Sequence, residues 1–583
     1  MPRTLPNTGD LITFTLKSDG VALSADYEVE MLDIRRHANK IASATLVLID
    51  GDPARATFAH SSAATLVPGA EIEILVGYNS RETSLFKGIL LRQQLKVTES
   101  GTSRLKVECR DGAFVMAQAA KSRYFQQLSD SGLFDRLLSD YSGLTLSAVN
   151  TQFTHPEIVQ FRQSDWELML QRVELNGLYI ATEDGTVRIS EVADEVNPIA
   201  VRYGIDVIEC DFQLDARNQF SEVTCHAWLP ADQQMTSATG APVNFSVPGN
   251  IPPQALAQAA GNQPMSQTTS GSFAIEQLQS ASNALVARQQ LAKVQGTVTV
   301  QGVAAFQIGS WVELQGFGER FNGTAWVGGI RHVVSRGNWL TTLQVGMSPQ
   351  PQTEHCLMPP TNKSPFATAS AAGLVSGLQI GLVTQLQDDP MGEERILVKL
   401  PSIDANHDGI WCRLATLDAG DQRGVVCRPE IGDEVVVGLF DNDPHSAVVL
   451  GSLHSSGKAP PIAASDDNHE KGWTTRSGIA FTIDDEKASV MVVTPAGNSL
   501  TINDDQSTIV VEDQHGNKIT MEQAGISLSS AKDLTLSASG DIKLEATGID
   551  IAANGEANLS GQAGTKVESS ANTVVKGSLV QIN

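Results

Sequence analysis

A chain of 583 residues exceeds what one core supports, since single cores rarely grow past about 250 residues, so several domains are expected. Its 66 acidic against 41 basic residues give a formal charge of −25, which argues against a nucleic-acid surface or an anionic-membrane anchor, both of which need clustered Lys and Arg. Aromatics are only 5% of the chain while Gly numbers 49, a balance suited to β-structure with many turns.

Cys109, Cys210, Cys225, Cys356, Cys412 and Cys427 are scattered without C-x-x-C spacing, so neither a zinc site nor a disulfide framework is expected. Free thiols in a reducing cytosol fit that spacing. The stretch Met1 to Asp10 is polar and broken by Pro2 and Pro6. Neither a signal peptide nor a membrane span is expected, so Sec export is not the route.

Short strands are predicted first: Ile12 to Leu16, Ala44 to Ile49, Glu71 to Val76 and Leu105 to Glu108, punctuated by Gly51-Asp52-Pro53 and Pro68-Gly69. They mark a first β-domain over 1–115, expected to be a barrel and to serve as a base through the family resemblance given below. An α/β segment is expected over 116–228, with one helix near Gly132 to Ser142. A second helix starts at Ser164, three residues before Glu167, a capping-box spacing, and Asn176-Gly177 ends it. Strands resume at Leu178 to Ile180 and Thr186 to Ile189.

Residues 229–274 are rich in Gln, Pro, Ser, Thr and Gly and read as a loop or insertion. A second base β-barrel domain is expected over 275–347, opening with a long helix from Ile275 to Lys293. Its strands are Thr297 to Val300, Trp311 to Leu314, Trp326 to Ile330 and Leu340 to Val345. A linker over 348–376 carries Pro349, Pro351, Pro359, Pro360 and Pro365. The segment 377–457 suits a small five-stranded barrel of OB type, with strands at Arg395 to Leu400, Ile410 to Leu414, Glu434 to Phe440 and Ala447 to Leu450.

After a connector over 458–476, the tail 477–583 repeats. Units starting Ser477-Gly478, Gly497-Asn498 and Gly516-Asn517 give way to octads, Asp533 to Gly540 and Asp541 to Gly548. Each octad alternates apolar and polar residues and ends in Gly, which makes one strand plus one corner. Leu534, Leu536, Ile542 and Leu544 would share an interior. A lone chain with so few large apolar groups buries too little surface to offset its ordering entropy. Three copies wound about one axis supply the missing partners and leave no lateral edge, so a trimeric intertwined β-helix needle is expected.

Several residue groups invite sharper readings. Asp404-Ala405-Asn406-His407-Asp408-Gly409 matches the first half of a calcium loop, but Ala415 stands where the bidentate Glu belongs, and a polar hairpin turn fits better. The pairs Asp484-Asp485 and Asp504-Asp505 recur at matching repeat positions, as solvated turns do, rather than as a catalytic carboxylate pair. His445, His454 and His469 show no metal-ligand spacing. Gly316-Phe317-Gly318 lacks a third glycine, and no P-loop or G-x-S-x-G occurs. No catalytic, cofactor or metal residue is therefore assigned and no enzyme activity is expected. Between Ser455 and Gly472 there is no room for a fused lysozyme-like domain, and no fused effector is expected beyond Asn583.

The stretch Arg428-Pro429-Glu430-Ile431-Gly432-Asp433-Glu434-Val435-Val436-Val437-Gly438, continuing through Asp441-Asn442-Asp443-Pro444 to Gly451, resembles the barrel signature of VgrG-type spike proteins of contractile injection systems. Ser164, Trp166 and Glu167 with Asn176 and Gly177 resemble the family's base-domain helix, although Leu175 replaces a usual small residue. Asn39 to Ala44 with Asp50 to Pro53, and Phe321-Asn322-Gly323 with Arg331-His332, look more like the compact spikes of extracellular phage-tail-like particles than like a type VI secretion spike. The resemblance implies a mainly β fold: phage-hub-like barrel base domains with a few helices, an OB-fold collar and the needle. It also implies a homotrimer that caps the hexameric inner tube, contacts baseplate proteins and carries a PAAR-type tip at Leu579, Val580, Ile582 and Asn583, with effector cargo as a further partner. The spike would assemble in the bacterial cytoplasm, leave in a particle or enter a target cell, touch the target membrane only transiently, and need no cofactor and no nucleic acid. Two other functions use similar repeats: a β-helical tailspike that binds or cleaves carbohydrate, which needs an acidic cleft, and an adhesin.

Overall fold

A computed structural model describes residues 5, 10–99, 101–193, 198–269, 273–353 and 377–582. Cys356, Pro359, Pro360, Pro365, most of the expected linker and Asn583 lie outside the described residues. The chain divides into two units, Met1–His454 and Ser455–Asn583.

In the first unit, a 13-stranded sheet spans both segments expected as base barrels. Lys40–Ile49 shows why such strands form: Ala42, Ala44, Leu46 and Leu48 are buried at every second position while their neighbours face outward. The two segments join where Gly323–Ser335 pairs antiparallel with Val29–His37. That register sets Arg331 opposite Arg35, a repulsive pair unless an anion intervenes. Buried Asp33 intervenes, accepting from Arg331 Nε at 2.9 Å and from Arg35 Nη2 at 2.7 Å. One core gathers Leu46, Ile74 and Phe86 with Trp339 from the far segment, and another gathers Val298, Trp326 and Leu343.

Among the described residues, four α-helices accompany this sheet: α1 (Asp130–Leu138), α2 (Asp165–Leu175), α3 (Pro253–Ala260) and α4 (Ile275–Ala292). The start of α2 is as its sequence foretells. Ser164 Oγ accepts from Glu167 N at 3.2 Å, and Glu167 Oε2 accepts from Ser164 N at 2.7 Å. Its end at Asn176 and Gly177 lets the chain turn at φ +69°, and a Cβ on Gly177 would stand 3.1 Å from Ala284 Cα on α4. Trp166, Leu168, Leu170 and Val173 of α2 pack with Phe134 and Leu137 of α1.

Residues 229–274, expected as a loop, instead contribute Gln234–Thr239, Met265–Thr269 and α3. The two strands flank Val223–Leu229 in a three-stranded sheet, whose Cys225 and Ala227 pack on Leu278 and Ala281 of α4. Polar composition concealed these strands because their outer face is exposed.

Gln379–Gln385, Ile396–Lys399, Ile410–Leu414, Glu434–Leu439 and Ala447–Ser452 form a closed five-stranded barrel. A parallel pairing of Arg413 with Val448 and Leu414 with Val449 helps close it. Its core of Val383, Val398, Cys412, Val435 and Val449 continues into Val159 and Phe161 of the base strand Thr154–Gln163, so barrel and base share buried apolar surface.

The second unit contains a seven-stranded antiparallel meander running from Glu470–Thr474 to Gly525–Ser529. Within one chain, residues 470–529 therefore fold back and forth as sequential hairpins.

Candidate assembly site

Cross-strand neighbours in an antiparallel sheet lie on the same face, so the meander's register can be followed strand by strand. One row runs Trp473, Phe481, Val492, Leu500, Val511, Ile519 and Leu528. A second row runs Ile483, Val490, Ile502, Ile509, Met521 and Ile526. The opposite face carries Thr482, Met491, Thr501, Val510, Thr520 and Ser527 and so is less apolar. Trp473 and Phe481 stack at 4.5 Å between ring centroids.

Among the described residues, this apolar face is only partly covered. Leu500 is 41% exposed, Val511 45% and Leu528 51%. Among the described residues, no apolar side chain beyond Val449 is buried, so the second unit has no core of its own. Leu534, Leu536, Ile542 and Leu544, expected to share an interior, are exposed in the single chain, as are Leu579, Val580 and Ile582. The polar corners hold themselves locally: Asp484 Oδ1 accepts from Glu486 N and Lys487 N, and Asn503 Oδ1 accepts from Gln506 N at 2.8 Å. Asp504 thus sits in a turn, whereas Asp484 is a buried strand-end residue whose counterpart one repeat on is Asn503, so the two Asp pairs do not occupy matching places. Asp404 Oδ1 likewise accepts from Asn406 N at 2.8 Å in the hairpin before Ile410. Among the described residues, no group of three or more His, Cys, Asp or Glu could hold a metal ion.

The barrel signature residues shape its turns. Asp433 Oδ2 accepts from Glu430 N at 2.9 Å, Gly432 N donates to Val383 O at 2.7 Å, and Pro429 and Pro444 are buried. Gly438 lies against Leu450, Gly451 is paired with Val436, and Thr269 Oγ1 donates to Asp441 Oδ2 at 3.2 Å. Buried Asp443 accepts from His445 N at 3.0 Å. His445 Nδ1 lies 2.8 Å from Asp443 Oδ1 and its Nε2 lies 2.5 Å from the carbonyl of Glu157 on the base. Both neighbours are acceptors, so only the imidazolium satisfies both. Burial opposes that charge, but Asp443 and the Glu157 carbonyl raise the His445 pKa overall. The spacing of His445 identified no metal site, and it carried no signal for this bridge, because its partner is 288 residues away in the chain.

A second polar cluster was also illegible. Asp130 accepts from Arg172 Nε at 2.5 Å and from Asn176 Nδ2 at 2.8 Å, with His155 Nε2 at 3.2 Å. Asn176, singled out as a helix end, thereby ties α2 to α1.

A family model described as the Alg8 N-terminal domain matches residues 8–336, more than half of the chain. The chain belongs to the Alg8 N-terminal domain family. A second family model, described as the type VI secretion system/phage-baseplate injector OB domain, matches residues 379–454, the closed barrel. Among solved structures, the chain is similar to the half-lidded PdpA–VgrG complex of Francisella, with 9% identity over 90% of this chain and 88% of that one, at a TM-score of 0.52. The lidless PdpA–VgrG complex matches at 10% identity over 90% of this chain and 98% of that one, with a TM-score of 0.51. At such identities the likeness concerns the fold. The resemblance to VgrG-type spikes therefore holds, as does the mainly β fold with an OB domain. What the chain shares with these complexes is the fold, and its barrel matches the injector OB domain. Among its described residues no helix is long and apolar enough to cross a membrane.

Proposed function

We propose that three copies of the chain form the central spike of a contractile injection particle. The tail is the needle, the barrel a collar and residues 1–347 a base that meets the hexameric inner tube and baseplate proteins. The carrying observation is that two continuous apolar rows, one crossing seven strands and the other six, run over the meander while no apolar side chain among the unit's described residues is buried. Such a surface is unstable against water unless covered, and identical copies sharing a threefold axis cover it on every chain at once. The sheath supplies the work of penetration, so stiffness and interfaces, rather than a catalytic site, are what this chain contributes.

In this reading the octads around Leu534, Leu536, Ile542 and Leu544 close the needle, and Leu579, Val580, Ile582 and Asn583 present a flat end to a PAAR-type tip. The stretches Asn39 to Ala44 and Phe321 to Gly323 favour an extracellular particle, with effector cargo carried by the assembly. Native mass measurement of the full chain tests the core of the proposal: a trimer is expected, and a stable monomer overturns it. Deleting Asp533 to Asn583 should leave a soluble base that no longer holds the tip protein; retention of the tip by the truncated chain would refute the docking assignment.

A further inference from the structure

A polar turn of the closed barrel reaches the base. Residues 443–446 lie between barrel strands Glu434–Leu439 and Ala447–Ser452, and their His445 extends to strand Thr154–Gln163. Both ring nitrogens point at acceptors: Nδ1 stands 2.8 Å from Asp443 Oδ1, and Nε2 stands 2.5 Å from the Glu157 carbonyl. A neutral imidazole carries one N–H, so it serves one acceptor while its other lone pair confronts the second. The protonated ring serves both.

We infer that this contact is a proton-operated latch: the His445 imidazolium fastens residues 443–446 of the barrel to the base strand, and loss of its proton releases that turn. The ring is 31% exposed and lines the cleft between barrel and base, so the proton can leave without unfolding. The barrel itself stays seated, because Val159 and Phe161 of the base remain packed in its core. The latch does not depend on the trimeric needle.

The surrounding groups fix the direction of the response. Asp443 faces the ring from its own turn, and Glu157 and His155 face it from the base strand. Arg395, Tyr124 and Cys412 face Glu157 in turn. Arg395 is held by Asp389 at 2.6 Å, burial lowers the His155 pKa, and burial raises those of Tyr124 and Cys412. His445 and Glu157 therefore govern the joint around and above neutral pH. Burial opposes the charge on His445, but Asp443 and Glu157 raise its pKa overall. A raised folded value means that the latch contributes fully below the unfolded value of about 6.5 and is lost as pH rises through the folded one. Burial also raises Glu157, to about 7, so its titration weakens the joint in the same direction.

Amide hydrogen exchange on the full chain, corrected for the intrinsic effect of pH, tests the latch in peptides covering 443–446. Protection there should fall about tenfold between about pH 6 and about pH 9, the effect of a pKa that differs by about one between closed and open turn. Strand Lys40–Ile49, in the base sheet, should keep its protection. His445→Asn, neutral at every pH, should show weak protection of the turn and no such fall. Glu157→Gln keeps the backbone carbonyl and should retain the release, moved to lower pH. A flat wild-type profile, an equal loss in Lys40–Ile49, an undiminished fall in His445→Asn, or no release in Glu157→Gln overturns the assignment. The wild-type profile against its control strand decides the matter even if the variants do not fold.

Discussion

Ile502 lies midway along the tail's apolar face, between Val490 and Ile509 on adjacent strands, and is 41% exposed in the single chain. Fully burying an Ile side chain is worth about 2–3 kcal/mol, so covering the remaining two-fifths contributes about 1 kcal/mol per copy and about 3 kcal/mol per trimer. Replacing it by Asp forfeits that term and places three unpaired carboxylates around one axis, each costing several kcal/mol to desolvate. Ile502→Asp should therefore convert the trimer to monomer at concentrations where the wild type is fully assembled, as read by sedimentation velocity across a dilution series. Thr501→Asp, one residue earlier and on the other face, should leave the trimer nearly intact. Wild-type assembly by Ile502→Asp, or equal disruption by both variants, would show that the apolar face is not the shared interior.

Three further outcomes follow from the first unit. Asp130→Asn should destabilise the α1–α2 region by about 3–5 kcal/mol, because it strands buried Arg172, and the double variant with Arg172→Met should recover much of the loss; near-UV circular dichroism during urea unfolding reads both. Burial alone would raise the Asp130 pKa, but Arg172 and His155 hold it well below the usual carboxylate range. Its contribution is thus present above the unfolded value near about 4 and is lost as pH falls further. Burial lowers the His155 pKa, so the unfolded chain takes up a proton first and stability should already begin to decline below about 6.5. Gly409→Ala should loosen the barrel by about 2 kcal/mol or more, since φ is +118° and the added Cβ would stand 2.0 Å from Val398 O; faster proteolysis of the collar is the readout. Calcium should leave the melting temperature unchanged, because Asp404 already serves the hairpin's own backbone, and a rise of several degrees would restore the calcium-loop reading.

Elements with strong local signals were legible. The helix at Ser164 was marked by its capping box, and the strand Ile410–Leu414 by its bounding turns. Long strands such as Arg81–Val97 and Thr154–Gln163 escaped notice. The first is interrupted by the polar run Arg92-Gln93-Gln94, and the second contains Pro156 and buries residues on both faces, so neither shows clean alternation. The tail's apolar residues were recognisable as one set, yet their arrangement differs by segment: a meander to Ser529, then octads whose apolar groups stay exposed in a single chain.

What the sequence determined by itself was local and repetitive: caps, turns, strand alternation, and a tail too poor in large apolar groups to fold around its own core. Each follows from residues within a few positions of one another. Only the tertiary structure decided that Gly323–Ser335 would pair with Val29–His37 and that His445 would bridge to Glu157. Those contacts join residues hundreds of positions apart. Their energy depends on burial and on which charges are already paired, quantities that no local pattern encodes.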